Sequence, residues 1–239
     1  STNGGLTWST PVVVFTGTTI AVTVWYDRWT GIAAEKIYIA FIESVTSDVQ
    51  FNSLNTATDA LSGNVVIFNG ASSVIPSSLS LIISRGSNLY CAFDIDGGTE
   101  QGFYRSVDAG VNWTSRASPF EAAADHILLA PGFAADNQDL IAFYWDISAS
   151  ELTRKLYDDS ADSWAESAAI SSTVGASGGS TGPWMNLTVD LANSKVYGVA
   201  YHNVGGRLGD LRFFTINEST FTEGGPVVRN IDPFQSDCT

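Results

Sequence analysis

A short motif recurs along this chain, and a sequence repeat limits the possible folds more than any single residue does. Residues 106–113 read Ser-Val-Asp-Ala-Gly-Val-Asn-Trp, and residues 1–8 read Ser-Thr-Asn-Gly-Gly-Leu-Thr-Trp. In the shared pattern Ser-x-Asp/Asn-x-Gly-x-x-Trp, the Asp or Asn side chain can cap backbone N–H groups of a turn. Gly tolerates positive φ, and Trp packs a large ring beneath the turn. The motif therefore predicts similar β-turns at several places in the chain.

Weaker copies of the motif follow at a regular spacing. Residues 51–57 align with residues 104–110, and residues 157–164 keep an acid and the Trp. The Trp slots are residues 8, 60, 113, 164 and 221, so the spacings are 52, 53, 51 and 57 residues. This period suits a blade of four short strands. The residues expected to build the turns are Ser1, Asn3, Gly5, Trp8, Ser53, Asn55, Ser106, Asp108, Gly110, Trp113, Asp159 and Trp164.

Matching apolar runs precede the turns. These runs are rich in β-branched and aromatic residues, are bounded by Gly, Asn and Asp, and cover residues 36–41, 88–93, 139–144 and 195–201. Such runs are typical of strands. In the second full blade we expect strands near 78–85, 88–96, 101–107 and 113–120.

Together the repeats predict one all-β domain over residues 1–239, a β-propeller of four-stranded antiparallel blades. Four full blades and an extra outer strand are visible in the sequence, and membership of a larger propeller stays open. The extra strand follows the first motif, where residues 11–17 repeat the pattern of residues 64–70. Because proteins pair or cover strand edges, we expect residues 9–15 to be hydrogen-bonded in a sheet. The chain also begins inside a motif, which favours a piece of a longer protein.

The Ser-x-Asp-x-Gly-x-x-Trp turns resemble the Asp box, or BNR repeat, of sialidase-like β-propellers. The resemblance implies that the boxes are structural, because in that family they lie on the face away from the active site. Sialidases of the family hold the substrate carboxylate with three arginines and carry an Arg-Ile-Pro signature, which this sequence lacks. The Ser, Thr, Gly, Ala and Asn-rich texture with few lysines is also similar to that of phage structural and tail-associated propellers.

The candidate ligand-binding residues lie at the ends of the second strands and in the loops that follow. These loops belong to the face opposite the boxes, and paired carboxylates there would suit the acid and base of a glycosidase. The alternative is that they are solvated loop ends, and we predict no catalytic residue among them. The candidates are Glu43, Asp94, Asp96, Asp146, His202, Asn203 and Arg207. A further aromatic string, residues 25–29, is either a sugar or partner contact or the packing of its own turn.

Composition excludes several classes of function. The chain has 11 Lys and Arg against 25 Asp and Glu, a net charge of −14. Because phosphate binding needs a basic patch, we predict neither a nucleic-acid nor a membrane partner. Asp94-Ile95-Asp96 superficially resembles a calcium loop but lacks the remaining ligands and the distal Glu. His126 and His202 lie far apart in the sequence without a ligand cluster. We therefore expect no metal and no cofactor.

These observations favour a non-catalytic β-propeller module for binding or assembly, within a larger virion-associated or extracellular surface protein. The expected partners are other protein subunits or the upstream part of the same chain, with glycans as a further option. Two rival classes stay open: a sialidase-like glycoside hydrolase, and a lectin-like propeller that binds glycans between blades through its aromatics. The fold cannot choose among them, because one fold hosts many functions.

Overall fold

The computed structural model describes residues 5–7, 10–26, 36–71, 78–95, 100–122, 125–149, 151–167, 185–204 and 207–223, with backbone alone for 201–204, 207–212, Phe221 and Glu223. These ranges contain 17 β-strands. None of the described segments forms a helix long and apolar enough to span a membrane.

The strands form four antiparallel sheets arranged as a β-propeller, so the predicted fold class is confirmed. The first sheet contains β1 (Thr19–Tyr26), β2 (Lys36–Glu43), β3 (Val49–Asn55), β4 (Ala60–Leu61) and β5 (Val65–Phe68). The second contains β6 (Ser78–Ile83), β7 (Leu89–Ile95), β8 (Glu100–Ser106) and β9 (Thr114–Ser115). The third contains β10 (His126–Pro131), β11 (Leu140–Asp146), β12 (Glu151–Asp158) and β13 (Ser163–Glu166). The fourth contains β14 (Met185–Asp190), β15 (Lys195–Val204), β16 (Arg207–Ile216) and β17 (Phe221–Glu223).

The central strands explain why the sequence showed continuous apolar runs. Every residue of β7 and of β11 is buried, because each of these strands has a neighbouring sheet on both faces. A strand that is buried on both faces carries apolar residues at successive positions, whereas a half-buried strand alternates apolar and polar residues. The four strands of the second sheet lie within a few residues of their predicted positions.

The first sheet contains a fifth strand, β5, which is not the extra strand that the sequence predicts after the first motif. Both β4 and β5 pair with β3, and they form two pieces of one outer strand on either side of residues 62–64. Gly63 lies in this interruption with a φ of 92°. Residues 10–18, all of them described, contain no strand, so the expected sheet pairing is wrong over residues 10–15. Phe15 packs instead on Phe41, with 4.8 Å between ring centroids, which holds this segment by a side-chain contact.

Three apolar clusters join consecutive sheets. Phe51, Leu81 and Phe93 belong to the cluster between the first and second sheets. A second cluster, with Phe103, lies between the second and third sheets, and a third, with Phe143, lies between the third and fourth. Among the described residues, no such cluster joins the fourth sheet to the first.

The Trp residues of two motif copies hold equivalent places. Trp113 meets the ring of Phe51 in the preceding sheet edge-on at 5.3 Å, and Trp164 meets Phe103 in the same way at 5.1 Å. Phe51 pairs with an Ala of β2 and Phe103 with the corresponding Ala of β7. Both indoles are partly buried. Trp8 lies outside the described residues.

Candidate functional site

Two of the candidate carboxylates close the turns that follow their own strands. The carboxylate of Glu43 accepts hydrogen bonds from the Thr46 N–H at 3.1 Å and from the Thr46 hydroxyl, which together hold the pKa of Glu43 below its usual value. Asp146 accepts from the Ser148 hydroxyl at 2.7 Å and the Ala149 N–H at 2.9 Å. Burial raises the pKa of Asp146, but these hydrogen bonds outweigh burial and leave the pKa lowered. Both side chains therefore have a local structural role.

A third candidate, Asp94, is completely buried in β7. It accepts a hydrogen bond from the Gln101 side chain, its cross-strand neighbour on β8, at 3.1 Å. The same amide group donates to the carbonyl oxygen of Ala122 at 2.7 Å, in the connection to the third sheet. Asp94 is thus enclosed within the fold rather than presented at the surface.

The remaining candidates are described only in part. Asp96 lies outside the described residues. His202 and Asn203 lie near the end of β15, and Arg207 begins β16, where it pairs with Val204. The backbone thus brings these three positions to one hairpin, while their side chains lie outside the described part. Of the aromatic string at 25–29, β1 contains the first two residues, and the other three lie outside the described residues.

The motif of the second sheet forms a tightly bonded turn. The Ser106 hydroxyl donates to Asp108 Oδ1 at 2.8 Å and accepts from the Gly110 N–H at 2.8 Å. Asp108 Oδ1 also accepts from the Asn112 N–H at 2.9 Å. These bonds hold the pKa of Asp108 below its usual value, with the backbone and side-chain amides of Asn112 as the largest causes. The Trp113 indole N–H donates to the Gly110 carbonyl at 3.1 Å. The side chains of Ser106, Asp108 and Trp113 therefore all have hydrogen-bond partners within the turn.

Gly110 also fastens this turn to the first sheet. Its φ is 93°, a conformation that side-chain-bearing L residues rarely adopt. A Cβ at this position would lie 2.0 Å from a ring carbon of Phe51, so the glycine is required both for the turn and for contact between sheets.

The other motif copies are shorter turns with their own caps. Asn55 Oδ1 accepts from the Ala57 N–H at 2.9 Å, as the sequence suggested. In the third sheet the cap is Asp158, which accepts from the Ala161 N–H at 3.0 Å, and not the adjacent Asp159. Ser53 is buried on β3, and Gly5 has a φ of 89°. Ser1 and Asn3 lie outside the described residues.

Asp159 has a different role, which the sequence did not reveal. Its carboxylate accepts two hydrogen bonds from Arg105 Nη1, at 2.8 and 2.9 Å, and one from the Tyr90 hydroxyl at 2.9 Å. Arg116 adds an ion pair at 3.6 Å. All three partners belong to the second sheet or the segment directly after it, so Asp159 connects two blades.

A second cluster of polar side chains, near the connection between these two sheets, contains the buried Lys155. Lys155 Nζ donates to the Pro119 carbonyl at 2.8 Å and to Glu121 at 2.6 Å, and lies 3.4 Å from Glu166. It also sits over the Tyr144 ring, 3.7 Å from the centroid. The lysine lowers the pKa of Glu121 through its hydrogen bond, whereas burial raises the pKa of Glu166. This ammonium group is enclosed by its partners, which suits a clamp better than a catalytic group.

A pocket of about 410 Å³ opens beside the third sheet, where it meets the turn before β17. Its polar lining includes Asn137, Asp139, Asp158, Ser163 and Glu218. Glu218 accepts from the Phe133 N–H at 2.8 Å, which joins the fourth sheet to the third. The lining contains three carboxylates and no basic side chain, so the pocket disfavours anionic ligands. Among the described residues, no group of three or more His, Cys, Asp or Glu side chains is placed to hold a metal ion.

The outward surface of β1 is a further candidate site. We call Val22 and Val24 the first-sheet open face, because both are exposed on the side of β1 away from the second sheet. Their partners on β2, Phe41 and Ile39, are buried on that side, where Phe15 packs on Phe41. Val24 pairs with Ile39, as Leu81 pairs with Cys91 and Leu129 pairs with Ala142, so these three residues occupy the same place in their sheets. Val24 is 57% exposed, whereas Leu81 and Leu129 are 1% and 2% exposed.

The likeness to known proteins lies in the fold. No protein-family model matches the sequence, and no curated protein matches it. Among solved structures, the chain is similar to a PL25 polysaccharide lyase, an ulvan lyase, with a TM-score of 0.51 and 10% identity. That match covers 79% of this chain and 55% of the lyase chain. The chain also matches the NanB sialidase of Streptococcus pneumoniae with a TM-score of 0.49 and 16% identity, over 79% of this chain and 28% of that chain.

These matches have limited reach. The chain spans about half the length of the ulvan lyase chain and about a quarter of the NanB chain. At such identities the lyase match supports the propeller architecture and leaves the chemistry of this chain undecided.

Proposed function

We propose that this chain is a non-catalytic binding and assembly module of a larger extracellular or virion-associated surface structure. The observation that carries the proposal is the first-sheet open face. Val24 is exposed at the place where Leu81 and Leu129 are buried by a preceding blade. A row of exposed aliphatic side chains on a strand is typical of a surface that another protein covers.

The positions of the candidate carboxylates support a role without catalysis. Glu43 and Asp146 cap their own turns, and Asp94 is buried against Gln101. A glycosidase acid or base must reach the scissile bond with a free carboxyl oxygen. Lys155 is similarly enclosed by Glu121 and its other partners.

A hydrolysis assay tests this proposal. The purified chain is incubated with a fluorogenic sialoside beside an active sialidase as positive control, and we expect no turnover. The physical reason is that a carboxylate substrate needs charge-assisted bidentate partners, and the sequence lacks the arginine signature of the sialidases. Turnover that survives purification and disappears in Glu43→Gln or Asp94→Asn would refute the proposal and identify the acid.

The pocket beside the third sheet favours a second candidate, a glycan-binding propeller. Its lining offers the Asn137 amide, the Ser163 hydroxyl and three carboxylates. Carboxylates accept hydrogen bonds from sugar hydroxyls, and their charge repels acidic sugars. This candidate therefore predicts neutral rather than acidic glycans as ligands.

Titration calorimetry with neutral and with uronic or sialic oligosaccharides separates the two candidates. If the chain is a glycan-binding propeller, it should bind a neutral oligosaccharide, and Glu218→Gln should weaken that binding at least threefold. Asp59→Asn, on an exposed turn of the first sheet, is the matched control and should leave the affinity unchanged. Equal affinity in both variants, or no binding of any neutral glycan, would reject this candidate.

A further inference from the structure

The junction between the second and third sheets contains a clamp around one carboxylate. Asp159 lies in the turn after β12, and its partners Tyr90, Arg105 and Arg116 come from the second sheet or the segment directly after it. The side chain of Asp159 is only 13% exposed. At this junction, two guanidinium groups and a phenol therefore balance and enclose the acid of the following turn.

The repeat places Glu218 at the corresponding position of the fourth sheet. Asp158 and Asn217 cap the two turns in the same way, because each accepts from the backbone N–H three residues later. Asp159 follows one cap directly, and Glu218 follows the other. Glu218 is exposed, and its carboxylate accepts from the Phe133 N–H at 2.8 Å. None of the ion pairs among the described residues includes Glu218.

The third sheet has uncharged side chains at the three places from which the clamp reaches. Tyr90 pairs with Arg105 in the second sheet, and Ile141 pairs with Leu156 at the same place in the third. The third place directly follows the outer strand, where in both sheets the backbone N–H donates to a carbonyl of the third strand. The counterparts of Tyr90, Arg105 and Arg116 are thus Ile141, Leu156 and Ser167.

One cation of the third sheet does lie at this junction, but it is engaged elsewhere. Arg154 Nη1 donates to the Asn217 carbonyl at 2.6 Å. Its place in the strand corresponds to that of Phe103, so it replaces a packed ring and not a clamp residue. Arg154 is also absent from the lining of the pocket beside the third sheet. It therefore leaves the carboxylate of Glu218 without a counter-charge.

That pocket of about 410 Å³ is lined by the counterparts of the clamp residues. Ile141 and Leu156, together with Leu140 and Ala165, form the apolar part of its lining. Glu218 and two further carboxylates form the acidic part. An arginine side chain combines a methylene stem, which packs on apolar surface, with a planar cation that binds carboxylates. The lining thus offers complementary surfaces to both parts of such a side chain.

We propose that this pocket receives an arginine side chain of a partner protein, in the role that Arg105 has at the previous junction. The guanidinium donates charge-assisted hydrogen bonds to Glu218, and the stem packs on Leu156 and Ile141. The net charge of −14 attracts a basic partner over longer distances. The inference rests on the proposed binding function and names the chemistry of the partner.

An NMR titration of the ¹⁵N-labelled chain with acetyl-arginine methylamide tests this directly. The probe should shift the backbone amide signals of Leu156 and Ala165. Acetyl-citrulline methylamide has the same shape without the charge and should bind about tenfold more weakly. Glu218→Gln should weaken binding of the arginine probe about threefold, because water partly screens an exposed carboxylate. Asp59→Asn, on an exposed turn of the first sheet, is the matched control and should leave binding unchanged.

A second variant supplies the arginine from within the chain. Leu156→Arg restores the residue type that the second sheet has at this place, so its guanidinium should occupy the pocket and abolish binding of the probe. Leu156→Gln is the matched uncharged control and should retain the probe. Circular dichroism shows whether both variants are folded. If folded Leu156→Arg binds the probe as tightly as the wild type, the pocket is not the binding site.

Other outcomes also overturn the inference. Equal binding of the arginine and citrulline probes, or no effect of Glu218→Gln, removes the guanidinium contact. A lysine probe that binds as tightly as arginine removes the preference for arginine. Free L-arginine carries an extra carboxylate that the acidic lining repels, so tighter binding of the free amino acid would indicate a small molecule. Binding of a neutral oligosaccharide and not of arginine would assign the pocket to glycans. These failures leave the non-catalytic module intact, because turnover in the hydrolysis assay is what refutes that.

Discussion

The junction between the second and third sheets and the first-sheet open face use the same strand pattern and differ in what covers them. At the junction, Phe103 is completely buried and lies within 6 Å of the rings of Tyr90, Tyr157 and Trp164. On the open face, Val24 lies exposed at a place equivalent to buried Leu81. A blade face is therefore a general packing surface, and its burial depends on whether a neighbouring sheet is present.

The two regions also differ in their polar contacts. At the junction, the Ser78 hydroxyl accepts from the Ile127 N–H at 3.1 Å, and the Ser80 hydroxyl accepts from the Leu129 N–H at 3.0 Å. Asp159 adds its ion pair with Arg105. Hydrogen bonds of this kind fix the register of two packed sheets, whereas apolar contact alone allows them to slide. The junction is therefore specific as well as buried.

Replacing the central ring of the junction should have the largest effect. Phe103→Ala removes a fully buried ring and leaves a cavity between two sheets, so we expect a loss of about 3–5 kcal/mol in the free energy of unfolding. Urea denaturation followed by tryptophan fluorescence measures it. Phe213→Ala, an exposed ring on the fourth sheet, is the matched control and should lose much less when measured on dilute, monomeric protein. If both variants lose the same free energy of unfolding, the covered and the open faces do not differ in their packing.

The fold was accessible from the sequence because the repeat period and the apolar runs are local signals. The turn caps were less accessible: alignment on Trp164 selects Asp159, whereas the hairpin pairs Asp158 with Ser163 and places the cap at Asp158. Sequence spacing does not record how many residues a turn leaves unpaired. In the second sheet Arg105 pairs with Thr114, so residues 106–113 lie between the paired ends. In the third sheet Asp158 pairs with Ser163, so only residues 159–162 lie between the paired ends.

The site was less accessible still, because burial there depends on distant segments. Lys155 is enclosed by the connection that contains Pro119 and Glu121, which the sequence of β12 cannot reveal. The strand itself reads Glu-Leu-Thr-Arg-Lys-Leu-Tyr-Asp, so Lys155 does not stand out from its charged and polar neighbours. The exposure of Val24 is similarly invisible, since β1 is as apolar as a strand covered on both faces. Sequence patterns report what a surface can pack against, and the three-dimensional arrangement decides whether anything does.

A buried histidine at the start of β10 predicts a pH dependence of intermediate size. His126 Nε2 is buried without a hydrogen-bond partner among the described residues, and burial lowers the pKa of His126 to about 4, with Asp125 opposing the shift. The unfolded chain binds a proton near its ordinary pKa of 6.5, so folding stability is complete above that pH and falls as the pH drops toward 4. At about 1.4 kcal/mol per pH unit, the loss between pH 6.5 and pH 5 is about 2 kcal/mol.

Urea denaturation at pH 7.0 and pH 5.0 measures this loss, and His126→Gln should flatten the dependence between them. His202→Gln is the matched control, since it removes the other histidine of the chain. If His202→Gln flattens the curve and His126→Gln does not, the titrating group has been misassigned.

The smallest effect is expected on the first-sheet open face. Val24→Thr keeps the shape and the strand preference of the side chain and adds a hydroxyl, so it reports whether the position is dry. An exposed hydroxyl bonds to water and should change the free energy of unfolding by less than about 0.5 kcal/mol. A hydroxyl that is buried without a hydrogen-bond partner should instead lower the free energy of unfolding by about 1–3 kcal/mol. Leu81→Thr, at the equivalent covered place, also loses apolar volume and should be clearly destabilising.

The protein concentration turns this small effect into a test of the comparison. In dilute solution, where no partner covers the first-sheet open face, Val24→Thr should be nearly neutral. At concentrations that favour association, binding stabilises the folded state by mass action, and a buried Val24 then contributes to that stability. Denaturation curves of wild type and Val24→Thr should therefore coincide at low concentration and separate as concentration rises. If they separate by more than 1 kcal/mol even in dilute solution, Val24 is covered within the single chain and the first sheet has no open face.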